Sequence, residues 1–517
     1  MKKRNVYVFH LLLISTLFGA LPSLGQYAQF QIHPSVTPQG FPDFGENFGG
    51  KIDMDNDRLI VADPNRLVHE GGVSIWEKHP LSGVWIRVYE VDASQGVYHH
   101  EPVTAVAIEG DWAFIGQRTV DEGNHESTGI VYVYHRVNGN WELANNPIPR
   151  FFRPNTSSKA YTYFGHSLSI SNGKLAVGAL ELGNYPRTEP IGTGSVYIYR
   201  LSNQNWVFEK RITMAAIGKR QRAEFGYSVD FDGDHLIVGA PAALVNGVAG
   251  AGQVQIFRTI GTSWNFEHEI SLSNPHSNDR FGEAVSVSEE YAVVGSPNKN
   301  HFGEAYVYRR SNYPSWPLRD WNLLHNFSGY SITGSSTFGS DVSISGSKLV
   351  IADQGYSTGK GAAHLYLKSG SSWGFDRTFG PSTGATPHVH FGADVVVSGE
   401  QIAVGAPNQS FAGVGYIFEK LAGACKACER SANQDVVNAS GVVNAFPNPS
   451  SGTFTLQFPK ANTHQISVFN ATGKLLFKQS YLNETKATVN LENYGKGIYF
   501  IQGISANQHW TQKLVVE

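Results

Sequence analysis

The chain has 517 residues, a formal charge of −3 at neutral pH, and only 16% charged residues. With no basic block, this balance excludes a nucleic-acid binder, and the length is enough for two or three domains. The 55 glycines and 12% aromatic residues suit many tight turns between aromatic-rich strands.

Residues 1–25 read as a secretory signal. Lys2, Lys3 and Arg4 form a positive start, residues 6–21 an apolar stretch broken by His10 and Ser15, and Ser23 and Gly25 the small residues before cleavage. The stretch is short for a membrane anchor. No cysteine follows it to carry a lipid, and no transmembrane segment is expected in the mature chain.

From residue 48 a block recurs seven times. Phe48-Gly49, Phe164-Gly165, Phe225-Gly226, Phe281-Gly282, Phe338-Gly339 and Phe391-Gly392 open six copies, and Pro102-Val103 opens the remaining one. The starts lie 53 to 62 residues apart, a period that means stacked or ring-arranged supersecondary units. Four and six residues into every block stand apolar residues, such as Val229 and Phe231 or Val285 and Val287. This alternation predicts a strand with one dry face. Thirteen residues in stands a β-branched residue, followed by Gly or Ala (Val238-Gly239, Val404-Gly405, Val61-Ala62), so the second strand ends where side chains have little room. A variable loop then closes on glycine. A third strand ends on an aromatic (Trp76, Tyr199, Phe257), and a fourth usually opens on tryptophan (Trp85, Trp141, Trp206, Trp264, Trp321, Trp373).

Seven units of four antiparallel strands predict an all-β fold, a seven-bladed β-propeller over residues 26–421. Block seven has no tryptophan strand after Phe418, while residues 27–32 form a spare strand near the N-terminus. These two segments are expected to pair and close the ring, which removes an open edge. The blocks resemble FG-GAP repeats, the blades of the integrin α-subunit propeller and of many bacterial surface proteins. The run 228–241, Ser-Val-Asp-Phe-Asp-Gly-Asp-His-Leu-Ile-Val-Gly-Ala-Pro, carries the likeness most clearly.

The resemblance raises calcium, because such blades often carry Asp-rich loops. Here Asp53, Asp55 and Asp57 alternate, as do Asp230, Asp232 and Asp234. A calcium site wants six to eight oxygens, whereas about four residues separate the first two strands. The sequence therefore favours hairpin-turn chemistry and disfavours calcium; no cofactor is expected. His99-His100 and His388-x-His390 have no acidic partner at useful spacing and read as surface or packing residues. The aromatics Phe151, Phe152, Tyr161 and Tyr163 either stack on a sugar or peptide or cap the blade packing. No nucleophile elbow, zinc-binding helix motif or phosphate loop appears, so the chain is not expected to be an enzyme.

Past the last blade, residues 422–441 read as a linker holding both cysteines, Cys425 and Cys428, which would form a small local disulfide in an oxidising compartment. Residues 442–517 predict a small β-sandwich. Its motif residues are Phe446-Pro447-Asn448-Pro449 with Gly452, then Gly473, Gly497, Tyr499 and Lys513. They resemble the C-terminal sorting domain of type IX secretion substrates. The resemblance implies passage across a Gram-negative outer membrane through that machinery, with release or attachment at the surface. The expected function is a secreted or cell-surface binding protein with an extracellular protein or glycan ligand. The alternatives are a secreted polysaccharide-acting enzyme and a passive surface layer.

Overall fold

We describe a computed structural model of the chain. It describes residues 27–33, 47–63, 72–80, 83–92, 102–121, 125–144, 151–152, 161–182, 193–214, 223–261, 263–288, 290–311, 320–329, 336–382, 388–409, 413–420, 444–446, 450–470, 475–505 and 508–516. The signal segment, the linker with Cys425 and Cys428, and His99-His100 lie outside the described residues. Two compact units result, one spanning Tyr27–Leu421 and the other including Ala422–Glu517.

The first unit is a seven-bladed β-propeller. Blade four shows the plan: Val229–Asp232, His235–Ala240, Gln253–Ile260 and Ser263–Ser271 pair in chain order as one antiparallel sheet. Its first two strands meet at a two-residue turn, with Asp232 opposite His235 and Gly233 at φ 56°. Positive φ at such turns matches the twist of the flanking strands. In blade two the outer position is split between Asn140–Leu143 and Phe151–Phe152, which both pair with Ile130–Val137. In blade seven the outer position belongs to Tyr27–Ile32, which runs antiparallel to Val414–Lys420 from Tyr27 opposite Lys420 to Ile32 opposite Gly415.

The motif residues sit where one blade meets the next. A Cβ on Gly405 would lie 1.8 Å from the carbonyl oxygen of Gly49, the second residue of the next blade's Phe-Gly. Gly252, which closes a variable loop at φ 84°, would meet the Phe281 carbonyl oxygen at 2.1 Å. The Phe-Gly pair and its two facing glycines are thus a single backbone-to-backbone joint. Where the Phe-Gly is lost, at Pro102-Val103, the facing residue of blade one is Ala62.

The outer-strand tryptophans fill the seams and face the preceding blade. Trp206 meets Trp112 and Phe114 edge-on, with ring centres 5.6 and 5.0 Å apart, a favoured aromatic geometry. Trp264 donates its indole N–H to Glu209 at 2.6 Å, Trp85 to Glu419 at 2.9 Å and Trp141 to Glu77 at 3.2 Å. Glu209 stands three residues after Trp206. Ala144, Glu267 and Leu324 hold the same place in blades two, four and five, and the indole N–H groups of the blades that follow, on Trp206, Trp321 and Trp373, have no acceptor among the described residues.

The second unit is built on two long strands, Thr453–Asn470 and Leu475–Asn490, whose pairing shifts register at three points. Gly497–Ser505 and Gln508–Val516 extend the sheet. Phe454, Leu456, Ile466, Val468, Ile501 and Leu514 share one fully enclosed core, so both halves of the long strand bury their side chains in the same place.

Candidate functional site

The inner strand of each blade is an edge strand, and every second N–H on it faces the ring axis without a partner from its own blade. Such groups need acceptors. The preceding blade supplies them by a constant rule: a side chain at an odd position accepts from the backbone N–H one residue further along in the next blade. Five residues into the block, counting the opening residue as zero, Asp53 accepts from Ile108 (2.7 Å), Ser169 from Phe231 (3.1 Å), Asp230 from Val287 (2.8 Å), Ser286 from Ile344 (3.1 Å) and Ser343 from Val397 (3.0 Å). At the seventh, Asp55 accepts from Gly110, Glu109 from Asn172 and Ser288 from Gly346. At the third, Asp341 accepts from Val395 and Asp394 from Ile52, each at 2.7 Å.

The turn reading of the alternating aspartates is therefore corrected in part. Asp57 and Asp234 do lie at turns, where their carbonyls accept from Lys78 and Thr259. Asp53, Asp55 and Asp230 instead clamp blade to blade. Alternation puts them on one face of the inner strand, the face turned to the next blade. Their signal in the sequence is an acceptor side chain at the same odd positions in most blocks, including Ser169, Ser286 and Ser343.

These strands enclose an axial channel of about 680 Å³ lined by all seven blades. Around one end, Lys51 donates to Asp394 at 2.9 Å, and that carboxylate raises the proton affinity of the lysine. Burial, followed by the nearby Asp394, holds the Asp341 carboxyl well above the usual range. Burial pushes Asp53 up to about 7, with Asp230 and Asp394 adding to the rise, and it raises Asp230 as well. Across the channel His166 is pushed down to about 3 by burial and by Arg118 and Lys51. Its neutral ring lies 2.8 Å from the Arg118 guanidinium.

The raised Asp53 carboxyl has a stability consequence. A folded-state pKa above the unfolded value contributes stability that is fully present below about pH 4 and is lost as pH rises through about 7. Asp53→Asn removes this dependence and keeps an oxygen for the Ile108 N–H. Urea unfolding at pH 5 and pH 8 is expected to show the wild type losing about 2 kcal/mol more than the variant over that interval. Equal slopes for the two proteins would contradict the assignment.

Elsewhere the candidate residues disperse. Phe152 is buried and stacks on Tyr199 of blade three at 4.2 Å, so it is packing. Tyr161 and Tyr163 are half-buried, with ring centres 6.2 Å apart. His388 is exposed, and the backbone N–H of His390 donates to Gly359. Among the described residues no three His, Cys, Asp or Glu side chains gather closely enough to hold a metal ion. In the tail, Phe446 pairs with Thr455 and Lys513 with Phe500. The Tyr499 hydroxyl donates to the carbonyls of Tyr494 and Gly495 at 2.6 and 2.7 Å. A Cβ on Gly452 would meet the Glu492 backbone at 2.9 Å, and Gly497 opens its strand opposite Val516. Pro447, Asn448, Pro449 and Gly473 lie outside the described residues.

Residues 444–517 match the secretion system C-terminal sorting domain, and residues 264–308 match the FG-GAP repeat. The chain carries FG-GAP repeats and a secretion sorting tail. Integrin alpha-4 from Xenopus laevis is 26% identical to the FG-GAP chain over 203 residues, 36% of this chain and 18% of the integrin. An endo-acting ulvan lyase from Formosa agariphila is 28% identical over 88 residues, 17% of each protein. The chain thus spans under a fifth of the length of either curated relative. A solved protein from Lactobacillus plantarum aligns with a TM-score of 0.42 at 14% identity, covering 64% of this chain and 84% of that one. No helix among the described residues is long and apolar enough to cross a membrane. The sorting tail marks the FG-GAP chain for secretion, to the cell surface or beyond.

Proposed function

We propose that the protein is a binding protein exported by the type IX machinery of a Gram-negative bacterium, recognising an extracellular protein or glycan through the loops of its propeller. The observation that carries this reading is the pairing of a sorting domain at 444–517 with an FG-GAP propeller. A ring locked blade to blade is a rigid mount, and variable loops on a rigid mount are the usual place for recognition. The loops between second and third strands and those between blades meet at one end of the ring, because both adjoin the start of an inner strand.

Export is tested by deleting residues 444–517 in the native host. The truncated chain is expected to accumulate in the periplasm and vanish from the surface and medium. Unchanged delivery would sink the export reading. Recognition is tested by screening the secreted chain against glycan and matrix-protein arrays, where selective capture is expected. A second reading, an enzyme acting on polysaccharide, draws on the partial likeness to an ulvan lyase. Depolymerisation of ulvan or a related polysaccharide by the purified chain would put that reading first.

A further inference from the structure

The loop-end mouth of the axial channel departs from the repeat. Two residues into each block, the residue lines the channel. It is small in blades one, two, six and seven (Gly50, Thr104, Ser340 and Ala393) and large in blades three to five (His166, Tyr227 and Glu283). Sixteen residues in, just past the second strand, four blocks carry proline (Pro64, Pro241, Pro297 and Pro407) and one carries Leu180. Blades two and six carry Arg118 and Gln354 there instead, and both line the channel. Packing that repeats accounts for residues that repeat. It does not account for these departures, which fall together at one end of the channel.

The large side chains form one wall. The Arg118 guanidinium lies 2.8 Å from a His166 ring nitrogen. The His166 and Tyr227 ring centres are 4.7 Å apart, and the Arg280 guanidinium lies 5.1 Å from the centre of the Tyr227 ring. The two arginines differ in their charge partners. Arg280 pairs with Glu283 and, at 3.7 Å, with Glu224. Arg118 forms no ion pair among the described residues and faces the neutral His166. Arg118, His166 and Tyr227 are all half-buried in the channel wall. A half-buried guanidinium without a counter-charge favours a planar anion, which it can hold by two parallel hydrogen bonds. The neighbouring acids are already engaged: Asp394 holds Lys51 at 2.9 Å, and burial keeps the Asp341 carboxyl well above the usual range. A peptide would find no strand to join, because the inner-strand N–H groups of this wall are spent on the clamp. The wall offers phenol, imidazole and amide groups, which both donate and accept and so suit a ring rich in hydroxyls.

We propose that the channel mouth seats an acidic sugar residue, its carboxylate on Arg118, its hydroxyls against His166 and Tyr227, and its ring in the space left by Gly50 and Ala393. This names a ligand class for the recognition reading above and rests on it.

The test is calorimetric titration of the full secreted chain with trigalacturonate, its neutral counterpart galactotriose, triglutamate and sodium acetate. Trigalacturonate is expected to bind at least tenfold more tightly than galactotriose, the scale of one charge-assisted contact, and triglutamate and acetate more weakly than either. Arg118→Gln gives blade two the residue that blade six carries. It should weaken trigalacturonate about tenfold and leave galactotriose affinity and the melting temperature unchanged. Ala393→Tyr gives blade seven the residue that blade four carries. It should fill the open side of the mouth and abolish binding of both sugars, again with unchanged melting. Equal affinity for the two trisaccharides, tighter binding of triglutamate than of trigalacturonate, no trigalacturonate binding at millimolar concentration, or full binding by both variants would each overturn the proposal. Selective capture of a different ligand on the arrays would still uphold the recognition reading, so the two failures are distinguishable.

Discussion

Gly405→Val is expected to destabilise the propeller by about 3–5 kcal/mol, at the severe end for a single substitution. The added Cβ would stand 1.8 Å from the Gly49 carbonyl oxygen and 2.9 Å from its carbonyl carbon. Both are backbone atoms, with no flexible side chain to yield, so blades seven and one must separate. Gly374→Val is the control. Nothing lies within 4 Å of a Cβ there and the residue is exposed in the outer strand of blade six, where a β-branched residue is favoured. Urea unfolding should show a large drop for the first variant and little change or a gain for the second. A tolerated valine at 405 would mean that the joint is not the tight contact described.

Deleting residues 27–32 is expected to cost about as much and to change the kind of failure. Ile32 is buried in the cluster that includes Phe48, Ile52 and Trp85. Tyr27 lies edge-on to Phe379 at 5.4 Å, beneath the Arg377 guanidinium at 4.8 Å. Without this strand, Val414–Lys420 becomes an exposed, largely apolar edge, a template for pairing with other chains. The truncated protein should run as soluble aggregates on size exclusion. A peptide of sequence YAQFQI added in trans should return part of it to the monomer position. A truncated chain that stays monomeric with unchanged melting would show that the ring closes without its strap.

The seven blades were legible in the sequence because each carries the same local demands. Apolar residues at the fourth and sixth positions, glycines at the joints and tryptophan on the outer strand are all set by packing that repeats. The candidate site was harder to read. Asp53 and Asp230 lie within three residues of a hairpin turn, and a single block viewed alone explains them by that turn. Their real partners, Ile108 and Val287, are 55 and 57 residues away. Only the recurrence of serine at the same odd position in neighbouring blocks hints at a contact between blades. Of the two readings of Phe152, ligand stacking and blade packing, the structure bears out packing. The residue follows an insertion and reads as loop, yet it completes the outer strand of blade two and its ring packs on blade three.

The clamp between blades has a further consequence. Most blades present an acceptor at one residue and a donor at the next, so the clamp itself asks for no blade-specific partner. Such a part is interchangeable. A duplicated block arrives with both halves of its joint, and a lost one leaves two compatible neighbours. Ala107 and Val396, which lack the acceptor at the fifth position, show that single rungs can be surrendered while the ring stays closed. The clamp itself therefore sets no order among the blades, and closure rests on Tyr27–Ile32, which supplies the final outer strand.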